Sequence, residues 1–131
     1  MPGSFLDSNV ILYLASEQQA KADRAEQLVA LGGTINIQVL NEIANVSRRK
    51  MGMSWAEIRN FLLIVRGLLK VAPVTIDIHD VGIDLAERYR LSLYDAMIIS
   101  AALQAQCDTL LSEYLQDGLL INGRLRVVNP F

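Results

Sequence analysis

Apolar residues in this chain come either in short clusters of a few residues or in longer stretches that recur every three to four positions, and the two patterns alternate. Phe5-Leu6 ends a first short buried strand. Asp7-Ser8-Asn9 then supplies cap-forming residues ahead of the helical run Val10-Ile11-Leu12-Tyr13. A polar helix is predicted over 18–31, with Ala22, Ala25, Leu28 and Val29 facing inward and Gly32-Gly33 closing it. Thr34 to Ile37 reads as a second strand and 38–50 as a helix that Gly52 ends. Ser54-Trp55-Ala56-Glu57 has the form of a capping box, so a further helix starts there and runs to about Leu69. Val71 to Ile76, interrupted by Pro73, reads as an edge strand, and Asp80 as the cap of a helix to Tyr89. Ser92 opens a helix to about Gln106 that is apolar nearly all round and therefore buried. Thr109–Ser112 and Leu125–Val128 are strand candidates, with Asn122-Gly123 marking a turn before the last.

Short strands alternating with helices imply an α/β fold, a mostly parallel sheet covered by helices. Ligands in such sheets bind beyond the carboxyl ends of the strands, which directs attention to Asp7 and Ser112. No internal repeat, low-complexity tract or linker interrupts the 131 residues, so one domain over 1–131 is expected. At 52% hydrophobic and 20% charged, the chain has a globular composition. Its single cysteine, Cys107, excludes an intrachain disulfide, and a cytoplasmic location is expected. With His79 as the only histidine, a zinc site is not expected. No apolar run approaches the ~18 residues of a membrane helix, and the opening MPGSFLDSN lacks the form of a secretory leader. A formal charge of −2 argues against a strong overall grip on nucleic acid, leaving local patches or bound cations to hold such a substrate.

Three carboxylates stand out, each with a plain structural alternative. Asp7 lies at a strand-to-helix junction, where it either caps the helix or meets a ligand. Glu42 flanks the apolar stripe Val39, Ile43, Val46, aligned with Gln38, Asn45 and Arg49, and is either solvated or turned into a cleft. Asp95 sits in the first turn of the buried helix, where Ser92-x-x-Asp95 fits a capping box while the position also holds a ligand rigidly. If the three converge, their mutual repulsion requires a cation or protonation. Oxygen-only ligands favour Mg²⁺ or Mn²⁺, ions that bind phosphate and activate water.

The segments Phe5-Leu6-Asp7-Ser8-Asn9-Val10-Ile11-Leu12-Tyr13, Gln38-Val39-Leu40-Asn41-Glu42, Leu91-Ser92-Leu93-Tyr94-Asp95-Ala96, Cys107-Asp108-Thr109-Leu110-Leu111-Ser112-Glu113 and Leu115-Gln116-Asp117-Gly118 resemble, in order and spacing, the PIN-domain family, specifically its VapC-like ribonuclease toxins. The resemblance implies an α/β/α sandwich, hydrolysis of RNA phosphodiester bonds with Mg²⁺ or Mn²⁺, a homodimer, and inhibition by a cognate antitoxin. Asp7, Glu42 and Asp95 match the family's first three acids, and Asn9 and Ser112 match frequent polar neighbours. The family commonly carries a further acid two residues after the strand-ending Ser or Thr. Tyr114 stands there instead, with Asp117 as the candidate substitute. A catalytically impaired, PIN-like binding module is the alternative this departure raises.

Arg48-Arg49-Lys50 ends the Glu42 helix, and Arg49 is the candidate phosphate contact, against simple compensation of the helix dipole. On the 54–69 helix, Trp55, Ile58, Leu62, Val65 and Leu69 form a core stripe, while Phe61, Leu63, Ile64 and Leu68 extend beyond it and suggest a surface for an antitoxin or second subunit. A rival reading, a phosphatase or phosphoacceptor domain using Asp7, needs a lysine at a strand end. Lys21, Lys50 and Lys70 are the only lysines, and none is at a plausible one.

Overall fold

A computed structural model describes residues 3–131; Met1 and Pro2, the start of the stretch assessed for a leader, lie outside the described residues. A central sheet is built from β1 (Ser4–Leu6), β2 (Thr34–Asn36), β3 (Lys70–Ala72), β4 (Thr109–Leu111), β5 (Leu120–Ile121) and β6 (Leu125–Val128). Its spatial order is β3-β2-β1-β4-β6-β5, with every pairing parallel except the β5–β6 hairpin. The hairpin turns through Asn122, Gly123 and Arg124, with Asn122 and Gly123 at positive φ (53° and 67°) and the Arg124 N–H donating to the Ile121 carbonyl at 3.0 Å. The helices are α1 (Ser8–Leu12), which continues into a 3₁₀ turn at Tyr13–Ala15, α2 (Gln19–Ala30), α3 (Ile37–Arg49), α4 (Trp55–Leu68), α5 (Ile76–Tyr89) and α6 (Leu93–Gln104). Together they form the expected α/β/α sandwich. Among the described residues no helix is long and apolar enough to cross a membrane.

The strands are buried on both faces: Phe5, Leu6, Ile35 and Leu110 have no exposed surface. The residues of α2 read as inward-facing, Ala22, Ala25, Leu28 and Val29, are its buried ones. In α6, Ile98 to Leu103 are all buried, as a helix apolar on every side must be. The capping box of α4 is complete, with the Ser54 hydroxyl accepting from the Glu57 N–H and the Glu57 carboxylate accepting from the Ser54 N–H.

Four expectations are corrected. The third strand ends at Ala72, before Pro73, and α5 starts at Ile76, capped by Thr75 rather than Asp80, which lies within the helix. The Thr75 hydroxyl accepts from the Ile78 N–H and so outcompetes the strand preference of Val74-Thr75-Ile76. Ile37 belongs to α3, because Asn36 caps that helix through the Val39 N–H. Trp55 is 55% exposed rather than core. At the first position of α4 its ring lies beneath the Arg48 guanidinium, 4.8 Å from the ring centroid. Leu63, Ile64 and Leu68 are more than half exposed, so the apolar excess on α4 faces outward.

Candidate active site

The chain lays down β2 and β3 on one side of β1 and then crosses to place β4 on the other. The switch between β1 and β4 leaves a crevice at their carboxyl ends, the place where open α/β sheets bind ligands. Asp7 and Ser112 are the first residues beyond those ends and are bonded to each other. The Asp7 N–H donates to the Leu111 carbonyl at 3.0 Å, and the Ser112 hydroxyl donates to Asp7 Oδ2 at 3.0 Å. Asp7 Oδ1 accepts from the Ser8 N–H at 2.8 Å, so this carboxylate caps α1 and faces the crevice at once.

Glu42 reaches the same place from α3. Its Oε2 accepts from the Ser8 hydroxyl at 2.7 Å and its Oε1 from Gln38 Nε2 at 3.1 Å. Asp95 comes from the first turn of α6. Its N–H is capped by the Ser92 hydroxyl, but among the described residues its carboxylate makes no return bond to Ser92, unlike Glu57 in the complete box of α4. The half-made cap leaves the Asp95 carboxylate free and exposed. Asp7, Glu42 and Asp95 all line one cavity of about 890 Å³.

The charges of Glu42 and Asp95 act on Asp7. Asp7 is only 8% exposed, and its carboxyl is pushed from the ordinary 3.8 up to about 6. Burial is the main cause, and the charges of Glu42 and Asp95 add to it against the opposing bonds from the Ser8 N–H and Ser112.

A second tier fixes the first. Ser112 is fully buried behind the cavity and accepts from Asn9 Nδ2 at 3.2 Å. Asn9 Oδ1 in turn accepts from the Glu113 N–H at 2.9 Å, tying α1 to the loop after β4. Glu113 itself points elsewhere, to Lys21 Nζ (2.8 Å) and the Tyr13 hydroxyl (2.6 Å). Burial would raise its carboxyl, but these two donors hold it below its usual value.

Not every candidate arrives at the cavity. Asp117 is exposed and outside it, with Oδ1 accepting from the Asn129 N–H. Arg49 is outside it too, and Lys50 lines it instead. The cavity-facing positions of α3 and its C-cap are Glu42, Val46 and Lys50, a row advancing four residues at a time, which a projection through Asn45 and Arg49 misses. Ser8 is the residue that local pattern obscured, because a hydroxyl at a helix start is fully explained by capping. His79 and Cys107 lie away from the cavity, and burial pushes the Cys107 thiol up, away from reactivity.

Among the described residues no three His, Cys, Asp or Glu side chains stand placed to hold a metal ion between them. Both oxygens of Asp7 and both of Glu42 are engaged by donors of the chain itself. The donor chemistry nevertheless fits a hard divalent cation. All three groups are carboxylates on one cavity, and Mg²⁺ typically keeps several waters and takes only one or two carboxylates directly. The elevation of the Asp7 carboxyl comes chiefly from burial, and the nearby charges of Glu42 and Asp95 add to it.

The sequence profile of the PIN domain matches residues 4–113. No curated protein matches the sequence significantly. Among solved structures, the fold is similar to a chain of a toxin–antitoxin complex from Klebsiella pneumoniae, with a TM-score of 0.75, 19% identity and 98% of each chain covered. It is similar to a chain of the VapBC2 complex of Rickettsia felis bound to a DNA fragment from its promoter, with a TM-score of 0.68, 19% identity, and 95% of this chain and 96% of that one covered. A sarcin–ricin loop cleaving toxin of Mycobacterium tuberculosis matches with a TM-score of 0.63 and 17% identity over 88% of this chain and 91% of that one. At these identities the likeness is one of fold.

Proposed function

The chain belongs to the PIN-domain family, and on that footing we propose that it is a metal-dependent endoribonuclease acting as the toxin of a bacterial type II toxin–antitoxin pair. The observation that carries the reading is the meeting of Asp7, Glu42 and Asp95, remote in sequence, on one cavity where burial and like charge raise the Asp7 carboxyl to about 6. Strongly shifted carboxyls in clefts mark candidate functional sites, and a bound cation would offset both the burial and the like charge of this one.

Asp7, Glu42 and Asp95 would hold the ion. When bound, Mg²⁺ or Mn²⁺ supplies polarisation of the phosphodiester and a lowered pKa for the attacking water. Ser112 and the Ser8 N–H hold the Asp7 carboxylate in one orientation, and the Ser8 hydroxyl with Gln38 does the same for Glu42. Asn9 keeps the loop after β4 in register with α1. Lys50 is the cationic side chain on the cavity wall and the group we assign to a substrate phosphate, in place of Arg49.

The likeness in fold to chains of toxin–antitoxin complexes supports a protein antitoxin as partner. The exposed Leu63, Ile64 and Leu68 of α4 are a fitting surface for it or for a second copy in a homodimer. One domain spanning the chain and working in the cytoplasm completes the proposal.

The test is cleavage of single-stranded RNA by the purified protein in Mg²⁺ or Mn²⁺. Cleavage should vanish with chelator, return with metal, and be lost in Asp95→Asn. Cutting that ignores chelator or survives Asp95→Asn overturns the mechanism. The second reading, a PIN-like module that binds without cutting, draws on Tyr114 in place of the usual acid, on Asp117 lying outside the cavity, and on Glu113 being committed to Lys21 and Tyr13. RNA binding with no cleavage in either metal favours it. The phosphoacceptor rival predicts a trapped phosphoaspartate at Asp7. The sheet order weighs against its receiver form, which runs 2-1-3-4-5 rather than 3-2-1-4.

A further inference from the structure

Four carboxylates line the cavity, Asp7, Glu17, Glu42 and Asp95, against the single cation of Lys50. Such a wall does not attract a polyanion through its backbone, and the chain's formal charge of −2 supplies no long-range pull. Beyond Lys50 and a bound cation, the hold on a nucleic acid needs a further contact that does not depend on charge. Among the other groups lining the cavity are two tyrosines with exposed rings.

Tyr94 is 73% exposed and Tyr114 78% exposed, and both line the cavity. Among the described residues neither ring stacks on another aromatic side chain, and neither hydroxyl has a hydrogen-bond partner. Tyr13 shows the contrast, with its hydroxyl bonded to Glu113 and its ring 4.8 Å from that of Phe131. Both free tyrosines are nonetheless carried on fixed backbone. Tyr94 lies in the first turn of α6, between the Ser92 cap and the free Asp95 carboxylate. Tyr114 lies between Glu113, whose N–H is held by Asn9 Oδ1, and the buried Leu115, whose N–H is held by the Ser112 hydroxyl. Ser112 and Asn9 also position Asp7, so the Tyr114 ring is tied to the acid cluster through two hydrogen-bonded side chains.

We propose that Tyr94 and Tyr114 are positioning residues that stack on unpaired nucleobases next to the bond to be cleaved, so that the site selects single-stranded RNA through base faces rather than through its backbone charge. The inference rests on the nuclease reading above and assigns two residues it leaves unused. A tyrosine on rigid backbone has two side-chain torsions to immobilise, so stacking costs little entropy. Every base has a π face, so the clamp selects for unpaired strand and tolerates sequence, whereas bases in a duplex have their faces covered.

The test uses the full chain and a short oligoribonucleotide carrying 2-aminopurine, single-stranded or annealed to its complement, with Ca²⁺ replacing Mg²⁺ in binding measurements. Single-stranded probe should bind with quenching as the fluorescent base stacks, and duplex should bind more weakly. Tyr94→Ala and Tyr114→Ala should each weaken single-strand binding by roughly 5- to 150-fold, the range set by the stacking contribution of one base. Tyr94→Phe and Tyr114→Phe, which keep the ring, should stay within about twofold of the parent. In Mg²⁺ the alanine variants should show the loss in KM with kcat little changed, as expected for binding common to ground and transition states. Alanine variants that bind and cut like the parent overturn the clamp while leaving the nuclease reading intact. The same holds if they lose only their affinity for a protein partner. A parent protein that neither binds nor cuts single-stranded RNA overturns both.

Discussion

Asp7→Asn offers a sharp test of the site's electrostatics, because its effect on stability has a sign opposite to that of most buried substitutions. The Asp7 carboxyl is raised from 3.8 to about 6 in the folded chain, chiefly by burial, with Glu42 and Asp95 adding to it. A raised acid binds its proton more tightly when folded, so its contribution is most favourable below pH 3.8 and is lost as pH rises through about 6. At 1.36 kcal/mol per pH unit, the interval amounts to a penalty of about 3 kcal/mol at pH 7 and about 1.5 kcal/mol at pH 5. Asparagine removes that charge. It keeps the acceptor for the Ser8 N–H but turns an N–H₂ toward Ser112, whose hydroxyl already accepts from Asn9 and the Leu115 N–H. One hydrogen bond of about 1 kcal/mol is then lost.

The net expectation for metal-free protein at pH 7 is a variant more stable than the parent by about 1–2 kcal/mol, a rise in Tm on the order of 4–8 °C. At pH 5 the advantage should shrink to near zero. Urea denaturation of both proteins in chelator, at the two pH values, measures this directly. Added Mg²⁺ should stabilise the parent at pH 7 and affect the variant much less, since binding to the folded state alone stabilises it. A variant less stable than the parent by the same amount at both pH values refutes the account. It would mean that the carboxylate is comfortable where it sits and that no cation is needed there.

Two further substitutions probe the frame around it. Ser112→Ala strips a donor from Asp7 Oδ2 and an acceptor from Asn9 and the Leu115 N–H, all at a fully buried position, and should cost about 1–3 kcal/mol at pH 7 by denaturation while driving the Asp7 carboxyl higher still. Gly33→Ala places a Cβ 2.9 Å from the Ser4 carbonyl oxygen and 2.6 Å from Leu6 Cδ1, at a φ of 149° that disfavours side chains, so a loss of more than about 2 kcal/mol is expected, with β1 displaced; an unchanged Tm would contradict it.

What could be read from the sequence follows the range over which each interaction acts. Caps and turns join residues within a few positions of each other, so Ser54 with Glu57 and Asn122-Gly123 were visible in the chain alone. The burial of α6 was equally plain, because a helix with no polar side has no orientation left to determine. The start of α5 was missed for the same local reason working in reverse, since Val74-Thr75-Ile76 satisfies a strand pattern while the Thr75 hydroxyl decides for a helix. Arg49 and Asp117 lie outside the cavity for a different reason. Whether a flanking side chain on a helix meets a cleft depends on what packs across from it, and whether a loop acid is free depends on a backbone N–H twelve residues away, at Asn129.

The convergence of the acids lies between these cases. Each of Asp7, Glu42 and Asp95 has a sufficient local explanation, and no periodicity links them. Their meeting follows from topology: β1 and β4 are neighbours although residues 7–108 lie between them, because the chain crosses back over β1 after laying down β2 and β3 on its other side. That crossing opens the crevice, and the residues at its mouth are then dictated by strand length alone. Since β1 ends at Leu6 and β4 at Leu111, the parallel register of those two residues brings Asp7 and Ser112 side by side at the crevice, close enough for the Ser112 hydroxyl to donate to Asp7 Oδ2.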